Sequence, residues 1–138
     1  MKTITTTKEK FVDLYSGLHS VKTLKSKKLA LVAGRNMSIL TSSLKDLEQA
    51  NIPSKEFMEL ADKVNAITRS NPENGAEQVA KLEEENKEIV EKRRQQVEKV
   101  KELMQIDLTL DLHTIDVQDL PEEVNAEQIV LLDLIINE

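Results

Sequence analysis

Three carboxylates and an imidazole fall within a short stretch near the C-terminal end of the chain, "IDLTLDLHTID": Asp107, Asp111, His113 and Asp116. Asp111 and His113 lie two apart where apolar residues alternate. An extended backbone puts both on one face, where a carboxylate can pair with an imidazole. A metal there would need a third and a fourth ligand. The sequence has no H-x-x-x-H pair and no Cys, and His19 is the only other histidine. The carboxylates also miss the calcium-loop pattern, which requires ligands at alternating positions around a central Gly. They read as the wet face of a strand, with no catalytic residues, no metal and no cofactor expected.

Other chemistry is equally sparse. Gly17, Gly34 and Gly75 are the only glycines, which leaves no Gly-rich phosphate loop. Gly34, in "VAGRN", sits inside a helical stripe and is expected to permit a close helix crossing. No nucleophile elbow and no S-x-x-K with companion motifs is present. The cations Lys22, Lys25, Lys27, Lys28 and Arg35 form a basic set that can contact phosphates. No aromatic platform, zinc finger or helix-turn-helix accompanies them, so a solvated or acid-paired face is the favoured reading.

The elements that carry these residues are mostly helical. Thr6 and Glu9 have capping-box spacing ahead of Phe11, Leu14, Tyr15 and Leu18, and Gly17 weakens that helix. Ser26 caps a second helix, from about Lys27 to Ala50, with Leu29, Ala33, Met37, Leu40, Leu44 and Leu47 on one stripe. Pro53 separates it from a third over about 54–69, and "SNPENG" makes a turn. A fourth helix from about Ala76 to Gln105 would be a rod of roughly 45 Å. Its stripe is apolar at both ends and polar in the middle, at Asn86 and Arg93. Those two either fix the register of an interface or face water. The alternating segment that follows is expected to pair with the β-branched "TITTT" at the N-terminus or with another subunit. Asn125 and Gln128 then cap a terminal helix, "AEQIVLLDLIINE", interrupted only by Asp133 and expected to be buried on several sides.

Charge is polarised along the chain. Residues 1–50 carry a balance of +5, residues 51–105 of −2, and residues 106–138 of −9, which sum to the net −6. This marks either an interaction tail or two ends that fold together and neutralise each other. With Phe11, Tyr15 and Phe57 as the only aromatics, the core must be built from Leu, Ile and Val, which suits helix packing. "MKTITTTKEK" has no apolar core of signal-peptide length, and no apolar run is long enough for a membrane span. Host cytoplasm or a virion is the expected location.

"LKSKKLALVAGRNMSILTSSLKDLEQA" resembles the front helix of a family of short phage-encoded proteins of unassigned function. "IDLTLDLHTIDVQDLPEEVNAEQIVLLDLIINE" resembles that family's closing strand, D-L-P turn and Leu-rich helix, while "FMELADKVNAITRSNPENGAEQ" departs from it. The resemblance implies a phage or prophage origin and carries no activity with it. The expected fold is mainly α: a helical bundle or hairpin with one long amphipathic helix, a short β element near residues 106–117 and a C-terminal helix. It is expected as a single domain over 1–138, with a basic helical part (1–50), a helical arm (51–105) and an acidic strand plus terminal helix (106–138). The expected function is a non-enzymatic protein-binding or assembly component of a phage particle or its assembly pathway. The alternative is a small phage inhibitor of a host or anti-phage protein; nucleic-acid binding through the basic set comes third, and an enzyme is the least expected. Asn86, Arg93, Leu131, Leu134 and Ile135 are the candidate residues for a protein partner or self-association.

Overall fold

The β-branched N-terminus does find the alternating segment of the same chain. In the computed structural model, which describes residues 1–138, strand β1 (Lys2–Thr7) pairs antiparallel with β2 (Asp107–Leu112). The register sets Ile4 opposite Leu110 and Thr6 opposite Leu108 on one face, and Thr3 opposite Asp111 and Thr5 opposite Thr109 on the other. The period of two therefore sorts the strands: Ile4, Leu108 and Leu110 turn inward with Thr6 among them, and Thr3, Thr5, Thr109 and Asp111 turn outward. On the wet face the Thr3 hydroxyl donates to Asp111, and the Thr5 and Thr109 hydroxyls lie 2.8 Å apart.

The remaining elements are α1 (Lys8–Val21), α2 (Lys27–Ser43), α3 (Lys45–Ala50), α4 (Lys55–Ser70), α5 (Gly75–Glu85), α6 (Lys87–Met104), β3 (Ile115–Asp116), α7 (Ala126–Leu132) and β4 (Ile136–Asn137). The fold is mainly helical, with a short antiparallel strand pair and a C-terminal helix. The chain divides into two compact units. One joins Met1–Leu47 with Glu102–Glu138; the other is Glu48–Lys101.

In the first unit Thr7 both ends β1 and caps α1, its hydroxyl accepting from the Lys10 amide at 3.3 Å. The cap thus falls one residue beyond Thr6, because pairing with Asp107 keeps the chain extended through Thr7. Ser26 caps α2 as expected, and α2 ends at Ser43, with Leu44 breaking it from α3. Phe11, Leu14, Leu18, Leu29, Leu112 and Leu132 are fully buried in one core. Phe11 is its only wholly buried aromatic, so branched aliphatic packing carries this unit.

Two glycines exchange the roles expected of them. Gly34 has nothing within 4 Å of where a Cβ would stand, and it makes no crossing. Gly17 makes it: a Cβ there would lie 2.7 Å from Leu131 Cβ and 3.3 Å from the Leu131 carbonyl carbon. The missing side chain lets α7 seat on α1. Buried Asn36 supplies the other special contact. Its Nδ2 donates to the His113 carbonyl and its Oδ1 accepts from the His113 amide, both at 2.8 Å. That pair of bonds ties down the chain where it leaves β2.

The terminal helix is shorter than its apolar run. The Asn125–Gln128 capping box forms, and α7 then stops at Leu132. A tight turn over Asp133–Ile135 follows, and β4 pairs parallel with β3, Ile136 opposite Ile115. Asn137 fastens this edge, its Nδ2 donating to the Thr114 hydroxyl at 2.9 Å. The backbone groups of β3 need partners, and the chain end supplies them by unwinding from helix to strand.

The second unit is an antiparallel hairpin of α4 against α5 and α6. At one end a Cβ on Gly75 would lie 3.7 Å from the Ile67 carbonyl oxygen; at the other, the Arg93 guanidinium stands 5.6 Å from the centroid of the Phe57 ring. The expected 30-residue helix is two helices that meet at Asn86. There the backbone opens to φ −115, ψ 29, while the Asn86 side chain donates to the Leu82 carbonyl at 2.8 Å. An amide that competes for the carbonyl four residues back is a known cause of such a break.

Candidate protein-binding surface

The hairpin unit buries few apolar side chains outright, and they are Leu60 and Val100. Its partly or fully buried positions nonetheless recur with strict spacing. On α5 and α6 they include Gly75, Val79, Leu82, Asn86, Ile89, Arg93, Gln96 and Val100, in steps of four and three; on α4 they include Phe57, Leu60, Val64 and Ile67. The rows make up the seam: the α4 row faces the α5 row and α6 as far as Arg93, which meets Phe57, and Gln96 lies past the start of α4, against Ala50 and Ile52. Three further half-buried apolar residues, Ala61, Val90 and Val97, each follow a seam residue by one position. In an antiparallel pair these positions lie on the same side of the hairpin from either helix. One flank of the seam is therefore widened by apolar side chains, with Met58 exposed at 47% beside Ala61 on α4. The opposite flank carries Glu56, Glu59 and Lys63 on α4 and Glu85, Glu88, Lys92 and Lys99 on α5 and α6, all exposed.

The polar members of the seam are satisfied within the chain. Asn86 is turned back on Leu82. Arg93 donates to the Asn51 carbonyl at 3.0 Å and to Gln96 Oε1 at 2.8 Å, and Gln96 Nε2 donates to the carbonyls of Ala50 and Ile52 at 2.9 and 2.6 Å. Together they clamp the segment before Pro53 onto α6, and Phe57 supplies an aromatic face for the guanidinium. The polar middle of the stripe thus holds a loop of its own chain. Beside it lies a cleft of about 480 Å³ lined by Ile52, Ser54, Glu56, Ile89, Lys92, Arg93 and Gln96. On the outer surface of α6 the hydrogen bond from Arg94 holds the Glu91 carboxyl below its usual range. Both partners are exposed, so this ion pair adds little stability.

The candidate residues at the C-terminus are not free for a partner. Ile135 is wholly buried, Leu134 packs against the core, and Leu131 is the residue seated on Gly17. Leu131 meets α1 at Gly17, and Leu134 and Ile135 pack in the core of their own chain, a correction to their expected role. The exposed apolar side chains of α7 are Ile129 and Val130, at 41% and 75%. They stand near exposed Glu122, Glu123 and Glu127 in the chain.

Lys22, Lys25, Lys27, Lys28 and Arg35 are all exposed. Lys28 is committed to Asp119 of the acidic C-terminal segment, at 2.7 Å, and that hydrogen bond raises the Lys28 pKa above its ordinary value. His113 falls one residue beyond β2, so it does not share a strand face with Asp111, and the Asp111 side chain already accepts from Thr3. Lys8, unremarked in the sequence, is a buried cation whose ammonium lies 2.8 Å from Asp46. Only its position at the strand–helix junction hints at that burial. No helix is long and apolar enough to cross a membrane. No protein-family model matches the chain, and neither does any curated protein or solved structure with which it was compared.

Proposed function

We propose that this chain is a non-enzymatic protein-binding or assembly component whose working surface is the widened flank of the α4–α6 hairpin. One observation carries the reading: a strictly spaced seam flanked on a single side by half-buried Ala61, Val90 and Val97 and exposed Met58. Apolar residues at two positions in seven suffice for a two-helix coiled-coil seam, whereas a third position per repeat is the mark of a helix in a larger bundle. The hairpin has the sequence of a bundle member and too few helices to complete one. Resemblance of the front helix and closing segment to phage-encoded proteins supports a phage particle or its assembly pathway as the setting.

The test is a photo-cross-linking residue placed at Met58, Ala61 or Val90 in the producing cells, with Glu59 on the charged flank as control. A discrete covalent adduct from the apolar flank and none from Glu59 is expected. No adduct from any of the three apolar positions overturns the reading. A second reading, an inhibitor that binds a host or anti-phage protein, is favoured by exposed Ile129 and Val130 in an acid-rich segment. An adduct from Val130 alone would select it.

A further inference from the structure

We propose that Asn74 is a site of spontaneous covalent modification, where the chain converts its own asparagine to aspartate and isoaspartate through a succinimide. The reaction needs only water, and the turn between α4 and α5 leaves the reacting groups free.

Asn74 stands where a helix cap belongs, directly before α5, yet its side chain makes no cap hydrogen bond. Asn125, in the same place before α7, is held in a capping box. Two hydrogen bonds hold the Asn74 backbone: its amide donates to Asn71 Oδ1 at 3.5 Å, and its carbonyl accepts from the Gln78 amide at 3.4 Å. Both are longer than the ~2.7–3.2 Å of a good N–H···O bond. The Gly75 amide opens its helix and donates to no acceptor. Asn74 is exposed, so water reaches it.

The step balances between chain and solvent. The Gly75 nitrogen gives up its proton and attacks Asn74 Cγ. The new C–N bond closes a succinimide ring, and the Cγ–Nδ2 bond breaks as ammonia leaves. Water then opens the ring. Cleavage between Cγ and the nitrogen gives aspartate; cleavage at the other carbonyl gives isoaspartate, with the main chain running through the side chain. Nothing is oxidised or reduced. Glycine opens the way, because no Cβ crowds the attacking nitrogen. Ring closure also needs ψ of Asn74 to rotate away from 4°, which only the two long hydrogen bonds oppose.

The other asparagines are placed differently. Asn36 is buried with both amide atoms bonded, and Asn86, Asn125 and Asn137 each hold a hydrogen bond through the side chain. Asn71 precedes Pro72, whose nitrogen has no proton to lose. Asn51 and Asn65 precede Ile52 and Ala66, which carry a Cβ beside the nitrogen.

Either product alters the hairpin. Aspartate adds a negative charge between exposed Glu73 and Glu77, at the positive end of α5. Isoaspartate lengthens the main chain where buried Gly75 packs on α4, with a built Cβ 3.7 Å from the Ile67 carbonyl oxygen, and so loosens α5 from α4.

The full-length protein is held in warm, mildly alkaline buffer, and trypsin, cutting after Arg69 and Lys81, releases residues 70–81 for mass spectrometry. A gain of one mass unit is expected, localised by fragmentation to Asn74, faster at higher pH and divided between aspartate and isoaspartate. The folded chain should convert within a hundredfold of the rate of the isolated 70–81 peptide, and Asn74 should lead every other asparagine. Gly75→Ala brings its methyl only into ordinary contact, so it should keep its helicity by circular dichroism while slowing the gain about tenfold. A folded chain that converts more slowly than a hundredfold below the peptide overturns the inference, because the turn would then be protecting Asn74. So does a faster gain at another asparagine, or a rate at Asn74 that Gly75→Ala leaves unchanged.

Discussion

Replacing each of two helical glycines with alanine should move stability in different directions, for reasons that can be worked out in advance. Gly34 faces open space, with nothing within 4 Å of a built Cβ. Gly34→Ala therefore gains only helix propensity, about 0.5–1 kcal/mol. Gly17→Ala gains the same propensity but brings its methyl to 2.7 Å from Leu131 Cβ and 3.3 Å from the Leu131 carbonyl carbon. Carbon pairs sit comfortably at about 3.5–4.0 Å, so α7 must retreat by roughly 1 Å. No rotamer change relieves this, since the obstructing atoms are Cβ and backbone. A retreat pulls on Leu132 and Ile135, both wholly buried, and forced repacking of that kind costs about 1–3 kcal/mol. Gly17→Ala should consequently fall below Gly34→Ala by about 1–3 kcal/mol. Urea titration followed by fluorescence of Tyr15, the only tyrosine and a residue of α1, reads the unit in question. The comparison requires an unchanged slope of stability against denaturant. Equal upward shifts of the midpoint in the two variants would refute the claim that Gly17 sets the α1–α7 contact.

Asn36→Ala removes both bonds to the His113 backbone and should cost about 2–4 kcal/mol; accelerated hydrogen exchange at the His113 amide checks it, and unchanged protection there counts against the anchor. Leu132→Asp should unfold or aggregate the first unit, because a charge at a wholly buried site costs several kcal/mol, whereas Val130→Asp, two residues earlier and 75% exposed, should stay within about 0.5 kcal/mol of the parent. The two melts side by side are the measurement, and similar losses would mean that α7 is buried differently. The hydrogen bond from Lys8 holds the Asp46 carboxyl below its ordinary value of 3.8. A depressed folded value means the stabilisation is complete above the unfolded value and disappears as pH falls through the folded one. Asp46→Asn should thus be less stable at neutral pH, by no more than about 1 kcal/mol because Asp46 is 59% exposed, and should converge with the parent in acid. A gap that persists at low pH would show that the pair is not its source.

The sequence by itself determined what local chemistry and period can determine. The change from steps of three and four to steps of two places β2, and because a lone strand cannot leave its backbone unpaired, the β-branched residues near Ile4 or another subunit had to pair with it; the structure decides for the former. Pro53 and the Asn74–Gly75 turn separate the helices, Ser26 and Asn125 cap them, and the Asp107–Asp111 face is wet because alternate residues of β2 point away from Leu108 and Leu110. Periodicity states which side chains share a face and is silent on what lies across from it. Tertiary packing therefore decided that Gly17, not Gly34, admits a neighbouring helix, since both are glycines in helices and only Leu131 distinguishes them. The end of α7 was decided the same way: the run through Ile136 is apolar enough for a helix, and the open edge of Ile115–Asp116 turned its last residues into strand. Leu131 and Ile135 consequently point into their own chain. Val90 and Val97, one position after Ile89 and Gln96 of the seam, are left only half-buried, which periodicity alone does not reveal.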